Sequence, residues 1–160
     1  MASCTISHPF PGGRLYITLV TDSSGVRAIH LDTEGREKAC RSGFPKKVAE
    51  QIEEYLNGGR REFDIAVSER ATDGASPFQV AVWQATKEIP YGETRTYGDI
   101  AHIIGREGAA RAVGSALAKN PLPLIIPCHR VVSVSGLGGF SGGGPEVKRF
   151  LLAIEQGQML

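Results

Sequence analysis

What this chain has little of narrows it first. Its three cysteines, Cys4, Cys40 and Cys128, are an odd number without framework spacing, so the chain does not read as a disulfide scaffold and at least one thiol is expected to be free. A Cys4–Cys40 bridge stays open. Long apolar runs are missing as well: "LYITLV" and "PLPLIIPC" fall far short of the roughly 20 residues a membrane helix requires. The amino terminus "MASCTISHPFPGG" has neither the basic start nor the apolar core of a secretory signal. A soluble, cytoplasmic (or nuclear) protein is expected. There is little charge of one sign either, the formal net charge being +1. The first 75 residues carry ten Lys and Arg against eleven Asp and Glu, the remainder eight against six, which permits phosphate binding by the second half without arguing for it.

What is present is enough for a core. A chain of 160 residues with 41% hydrophobic and 22% charged side chains makes one ordinary domain or two small ones. "RLYITLVTDSSGVRAIHLDT" reads as two strands around a Ser-Ser-Gly turn, with Leu15, Ile17 and Leu19 on one face of the first. On the second, Val26, Ala28 and His30 share a face. "FPKKVAEQIEEYLNGG" reads as a helix with Pro45 in its first turn, Val48, Ile52, Tyr55 and Leu56 on its apolar stripe, and Asn57-Gly58 as its stop. "REFDIAVS" supplies a further alternating strand. Nothing in this half looks catalytic.

After the polar joint "ERATDGAS" the pattern becomes helical, which places a boundary near residue 75. Ser76 and Gln79 form a capping box with Pro77 at the first helical position, and Phe78, Val82, Ala85 and Ile89 line one face. Thr96 with Asp99 opens a second helix, Gly105 ends it, and "REG" leads into "AARAVGSALAK". Two short helices around a glycine turn describe either a helix-turn-helix or a plain helical hairpin. In the second helix Val113 and Leu117 can face inward, while Arg111 stands nearly alone among small residues. Such a helix suits close approach in a minor groove with one inserted side chain better than major-groove reading.

"NPLPLIIPCHRVV", residues 120–132, carries the chemistry. The run from Leu122 to Ile126 reads as a strand, and Pro127 breaks it before Cys128. The cysteine is open to three readings: buried core, metal ligand, or nucleophile. A nucleophile needs its thiolate, and adjacent strand residues point to opposite faces, so Cys128 and His129 cooperate only where the chain turns or a water bridges them. Arg130 adds positive charge. A zinc set from Cys4, His8, His30 and Cys40 has irregular spacing, and a protease would have to draw its remote histidine from His102. Downstream, six of the nine residues from Gly136 to Gly144 are glycine, a loop whose amides can approach a ligand but which lacks the lysine and hydroxyl of a phosphate loop. "PEVKRFLLAIEQ" closes the chain as a helix packed through Val147, Phe150, Leu151 and Ile154, with Glu155 on the flank of the stripe.

"PFQVAVW", "IPYGETRTYGDIA", "RAVGSALAKNP", "IPCHRVV", "GGFSGG" and "LLAIEQ" together closely resemble the methylated-DNA-protein-cysteine methyltransferases, or O6-alkylguanine-DNA alkyltransferases. The resemblance covers residues 76–160; the first 75 match in size and strand-helix pattern. It implies an α+β protein: a small sheet-plus-helix, RNase H-like half over residues 1–75, then a mostly helical half over 76–160 with a winged helix-turn-helix-like motif. It implies a single-turnover reaction in which Cys128 takes the alkyl group from O6-alkylguanine, and from O4-alkylthymine, in double-stranded DNA after base flipping. His129 would accept the thiol proton through a water, Glu155 would orient the histidine, and Asn120 would fix the turn. Tyr97 and the Ser141 amide would meet the leaving base. Arg111 would enter the stack, with Ala109, Ala110, Ala112, Gly114 and Ser115 against the minor groove and Val131, Phe140 and Lys148 among the remaining substrate and DNA contacts. No cofactor and no metal are implied, the zinc ligands of some members having no counterpart here. A monomer in solution is implied, with cooperativity on DNA left open. Two departures stand out: Phe140 replaces the usual tyrosine, and the loop between Val132 and Gly139 is a residue shorter than is common. A non-enzymatic DNA-binding or lesion-flagging protein is the alternative, against which the reactive cysteine argues.

Overall fold

Residues 1–158 are described by a computed structural model; Met159 and Leu160, assigned above to the second half, lie outside the described residues. The chain is α+β. It opens with an antiparallel meander, β1 (Ala2–Phe10), β2 (Gly13–Asp22) and β3 (Gly25–Asp32), in that spatial order. Leu15, Ile17 and Leu19 of β2 are fully buried, as period-2 alternation dictates. β1 was not legible as a strand: its polar "SCTIS" start hides an edge that pairs along the whole of β2, from Ala2 opposite Thr21 to Phe10 opposite Gly13.

β3 corrects the expected face. Thr21 pairs with Val26 but Val20 pairs with Ala28, so Arg27 is an extra residue. This bulge flips the parity of everything after it. Ile29 and Leu31 are buried, and His30 is exposed. The strand expected at "REFDIAVS" is also absent, reduced to one bridge between Val67 and Val26. Its backbone is satisfied elsewhere: Gln51 Nε2 donates to Asp64 O (3.0 Å), and the Asp64 amide donates to Gln51 Oε1 (2.9 Å).

α1 (Gly43–Leu56) packs on β1 and β2 through Val48, Ala49, Ile52, Tyr55 and Leu56. Cys4 and Cys40 form a disulfide and leave Cys128 free, which removes both thiolates from the metal set considered above. α2 (Pro77–Lys87) begins with the expected capping box, the Gln79 amide donating to Ser76 Oγ and the Ser76 amide to Gln79 Oε1. β4 (Arg95–Thr96) leads directly into α3 (Tyr97–Ile103), capped reciprocally by Thr96 and Asp99. α4 (Ala110–Ala118) follows and packs on α2 and α3, tied by Trp83 Nε1 donating to Ala116 O at 2.9 Å. β5 (Val131–Val132) pairs in parallel with β4, and α5 (Pro145–Glu155) ends the described fold. Buried side chains from both halves form one cluster. No helix among the described residues is long and apolar enough to cross a membrane.

Candidate active site

The segment before Cys128 is not the strand that its apolar composition suggests. Pro121, Pro123 and Pro127 have no N–H to give to a ladder, and Leu124 sits at φ 76°. Instead the chain folds into a turn closed by the Ile126 amide on Leu122 O (2.8 Å). Asn120 braces it from within: its Nδ2 donates to Ile126 O, and its Oδ1 accepts from the Leu122 amide, both at 2.8 Å. The Ile29 amide donates to Pro121 O at 2.9 Å, which ties this turn to β3. Beyond Pro127, Cys128–Arg130 form a single 3₁₀ turn. The chain thus turns where cooperation of Cys128 and His129 requires it.

Cys128 is 8% exposed and borders a cleft of about 250 Å³ lined by Tyr97, Gly114, Leu117, Phe140, Ser141 and the cysteine itself. That is below the usual span for drug-sized ligands and suits a smaller group. A larger open depression of about 1010 Å³ touches Pro127 and Arg130 but excludes Cys128. Burial pushes the Cys128 thiol up, opposed by hydrogen bonding from Asn120 and by the charge of Lys148. Burial likewise pushes His129 down, against the pull of Glu155. At neutral pH the pair rests as thiol and neutral imidazole.

His129 Nε2 lies 2.6 Å from Glu155 Oε2. A carboxylate only accepts, so Nε2 carries the proton and Nδ1 holds the free lone pair. Nδ1 is buried and has no hydrogen-bond partner among the described residues, and its lone pair is the position that can receive a proton. Glu155, whose side chain is fully buried, also accepts from Arg130 Nε (2.8 Å) and Nη2 (3.1 Å), the Gly92 amide (3.1 Å) and Tyr55 Oη (2.5 Å). Although burial opposes its charge, these donors hold its carboxyl well below the usual carboxylate range.

Three sequence assignments change. Arg130 does not serve the thiol, since its guanidinium is spent on Glu155 and on Ile89 O (2.7 Å). The cation beside Cys128 is Lys148, expected among the DNA contacts but fully buried, with Nζ donating to Val131 O (2.6 Å) and Gly139 O (3.1 Å). Burial holds its amine down at about 8. Tyr55 belongs to the apolar stripe of α1, yet its phenol reaches both Glu155 and His129. The signal was a phenol on an otherwise apolar stripe, because a buried hydroxyl demands a partner.

The other expected residues divide by place. Tyr97 walls the cleft, its hydroxyl 3.4 Å from Gly139 O, and burial raises its phenol. Phe140 and Ser141 wall it from the glycine loop, with Ser141 Oγ donating to Ala118 O (3.3 Å). Val131 is fully buried and contributes its carbonyl to Lys148. On α4, Arg111, Ala112 and Ser115 are exposed, while Ala109, Ala110 and Gly114 are half-buried. His102 lies apart on the surface of α3, paired with Glu107.

This geometry has relatives. A family model described as the DNA-binding domain of 6-O-methylguanine DNA methyltransferase matches residues 77–157. The constitutive methylated-DNA-protein-cysteine methyltransferase of Bacillus subtilis is 47% identical over 111 residues, covering 69% of this chain and 65% of that one, just under two thirds of its length. That of Methanosarcina acetivorans is 46% identical over 147 residues, 87% of this chain and 90% of that one. Among solved structures, Mycobacterium tuberculosis OGT in complex with DNA matches with a TM-score of 0.76 at 39% identity, over 97% of this chain and 93% of that one.

Proposed function

Because the chain belongs to the methylated-DNA-protein-cysteine methyltransferase family of DNA repair enzymes, we propose that it repairs O6-alkylguanine in duplex DNA by moving the alkyl group, once and irreversibly, onto its own Cys128. The observation that carries this reading is a free cysteine at a small cleft, one residue from an imidazole held by a buried carboxylate. Cys128 Sγ attacks the alkyl carbon, the carbon–O6 bond breaks and a thioether forms. The thiol proton passes through a water to His129 Nδ1; the guanine leaves with its electron pair and takes a proton from water, and the imidazolium returns its own proton to solvent, so bonds and protons balance. Tyr97 and the Ser141 amide meet the charge that develops on the leaving base. O4-alkylthymine fits the same scheme.

The base reaches the cleft only out of the stack. We assign α3 and α4 as a helix-turn-helix whose second helix lies in the minor groove, with Ala109, Ala110, Ala112, Gly114 and Ser115 allowing close approach and Arg111 filling the place of the flipped base. A Cβ on Gly114 would lie 3.8 Å from the Tyr97 ring, an ordinary contact, so the glycine's value here is room at the cleft mouth. Few base-reading side chains suit a protein that must act at any guanine. The division at residue 75, with an RNase H-like first half, a winged second half, a monomer and cytoplasmic action, completes the reading.

Incubation with a duplex carrying O6-methylguanine, followed by peptide mass spectrometry, tests it. One methyl group per protein is expected on the Cys128 peptide. An unmodified Cys128 with the lesion intact and bound would favour a lesion-flagging protein; repeated turnover would favour a hydrolase.

A further inference from the structure

Glu155 is crowded in a way that the alkyl-transfer scheme does not use. A carboxylate offers about four lone-pair sites, yet Tyr55 Oη, His129 Nε2, Arg130 Nε and Nη2 and the Gly92 amide all converge on it. Tyr55 and His129 approach the same oxygen, Oε2, at 2.5 and 2.6 Å, and lie 3.2 Å from each other. The phenol is set there by α1: Tyr55 is 1% exposed, and its ring packs against Phe63, edge-on to Tyr91 and edge-on to His129. A hydroxyl that merely needed a partner in the core would be satisfied by one acceptor. This one takes the acceptor on which the imidazole depends.

We propose that Tyr55 is a positioning residue for the Glu155–His129 pair: its phenol fixes Oε2 opposite Nε2 and takes a share of that oxygen's charge, so that His129 is oriented with its Nδ1 lone pair free. The role rests on the alkyl-transfer reading for its purpose, but its physical content does not. An acceptor oxygen shared between two donors binds each less strongly than it would bind one. The groups facing His129 are Glu155 and Lys148 from α5, Arg130 and Cys128 from its own turn, and Tyr55 from α1, with Tyr91 against Tyr55 and Arg130. Burial, Arg130 and Lys148 oppose a proton on the imidazole, and Glu155 alone favours it. Weakening the claim of Tyr55 on Oε2 therefore leaves Glu155 more charge for the imidazole and raises its proton affinity. Through this contact the sheet half of the chain acts on the acid-base chemistry of the other half.

Tyr55→Phe keeps the ring and removes the hydroxyl; 3-fluorotyrosine at position 55 keeps the hydroxyl and makes it a stronger donor. The rate of alkyl transfer needs neutral His129, so its acid limb follows the histidine. In Tyr55→Phe that limb is expected to move up by about 0.5 to 1 pH unit, and in the fluorinated protein to move down. Nitrogen-15 NMR of His129 in the DNA-free protein should show the same two shifts, or, where the ring stays neutral until acid unfolding, a downfield Nε2–H proton in Tyr55→Phe and an upfield one in the fluorinated protein. If only the melting temperature changes, while profile and imidazole signals coincide with wild type, Tyr55 is structural and the inference falls. Absence of alkyl transfer in the wild-type protein would overturn the proposed function instead, and the NMR arm would still decide the role of Tyr55.

Discussion

Lys148 Nζ donates to the Val131 carbonyl at 2.6 Å from a fully buried position, fastening α5 to the strand that follows the 3₁₀ turn. The same ammonium reaches Gly139 O and lies over the Tyr97 ring at 5.7 Å, so one cation holds both walls of the cleft. Its amine is held down at about 8 by burial, whereas in the unfolded chain it titrates near 10.4. Between those values the unfolded state binds more protons, and this group's contribution to stability rises with pH. Lys148→Met removes that term. The unfolding free energy of wild type minus that of the variant should rise from pH 8 to pH 10, measured by urea denaturation; a difference that falls over that window would contradict a buried, destabilised ammonium.

Gly138 gives a steric test of the loop. It sits at φ 77°, and a Cβ there would lie 2.7 Å from Tyr97 Oη and 2.9 Å from Cε2. Both strain and overlap disfavour any side chain. Gly138→Ala should slow alkyl transfer about tenfold or more while leaving most of the fold intact, because the loop must lift from Tyr97 and open the cleft. Stopped assays with the lesion duplex measure the rate. Gly136→Ala is the control, since a Cβ at that position meets nothing within 4 Å.

How much of this was legible in the sequence depended on how local the cause was. Both capping boxes and the buried stripe of α1 follow from spacing along a few residues, and all appear in the structure; the brace by Asn120 is implied by the family resemblance alone, and its hydrogen bonds to Ile126 and Leu122 supply it. Arg27 as a bulge and the turn through Leu124 did not show, since each is settled by pairing with a distant segment or by what three prolines cannot donate. Tyr55 lies 100 positions from Glu155, and no pattern within α1 encodes that meeting. The burial of Lys148 is hidden for a related reason: its helix position is readable, but a buried lysine is rare and reveals itself only through the carbonyls that receive it.

The Cys4–Cys40 disulfide closes a separation of 36 residues. By loop entropy such a link contributes roughly 2–4 kcal/mol. Reduction of the protein, or Cys40→Ser, should lower stability by that order without changing the rate of alkyl transfer, because neither cysteine borders the cleft. Thiol titration of the unfolded protein checks the link directly: one reactive group before reduction and three after.

Arg111 separates binding from chemistry. It is exposed on α4 and does not line the cleft that Cys128 borders, so its removal should leave the thiol, His129 and Glu155 as they are. If it occupies the space of an extruded base, its contribution exists only when there is a stack to fill. Arg111→Ala should then slow transfer from O6-methylguanine in duplex DNA by about ten- to a hundredfold, the range that one lost contact of roughly 1.4 to 2.7 kcal/mol produces. Transfer from the free modified base should stay within about twofold of wild type. A plain electrostatic role predicts something else: a loss that shrinks with added salt and is recovered by Arg111→Lys, since a lysine neutralises a phosphate as well as an arginine does. Measuring both substrates at two salt concentrations for wild type, Arg111→Ala and Arg111→Lys tells the roles apart. Equal losses on duplex and free base would contradict the finger role outright, because a free base leaves no gap behind it.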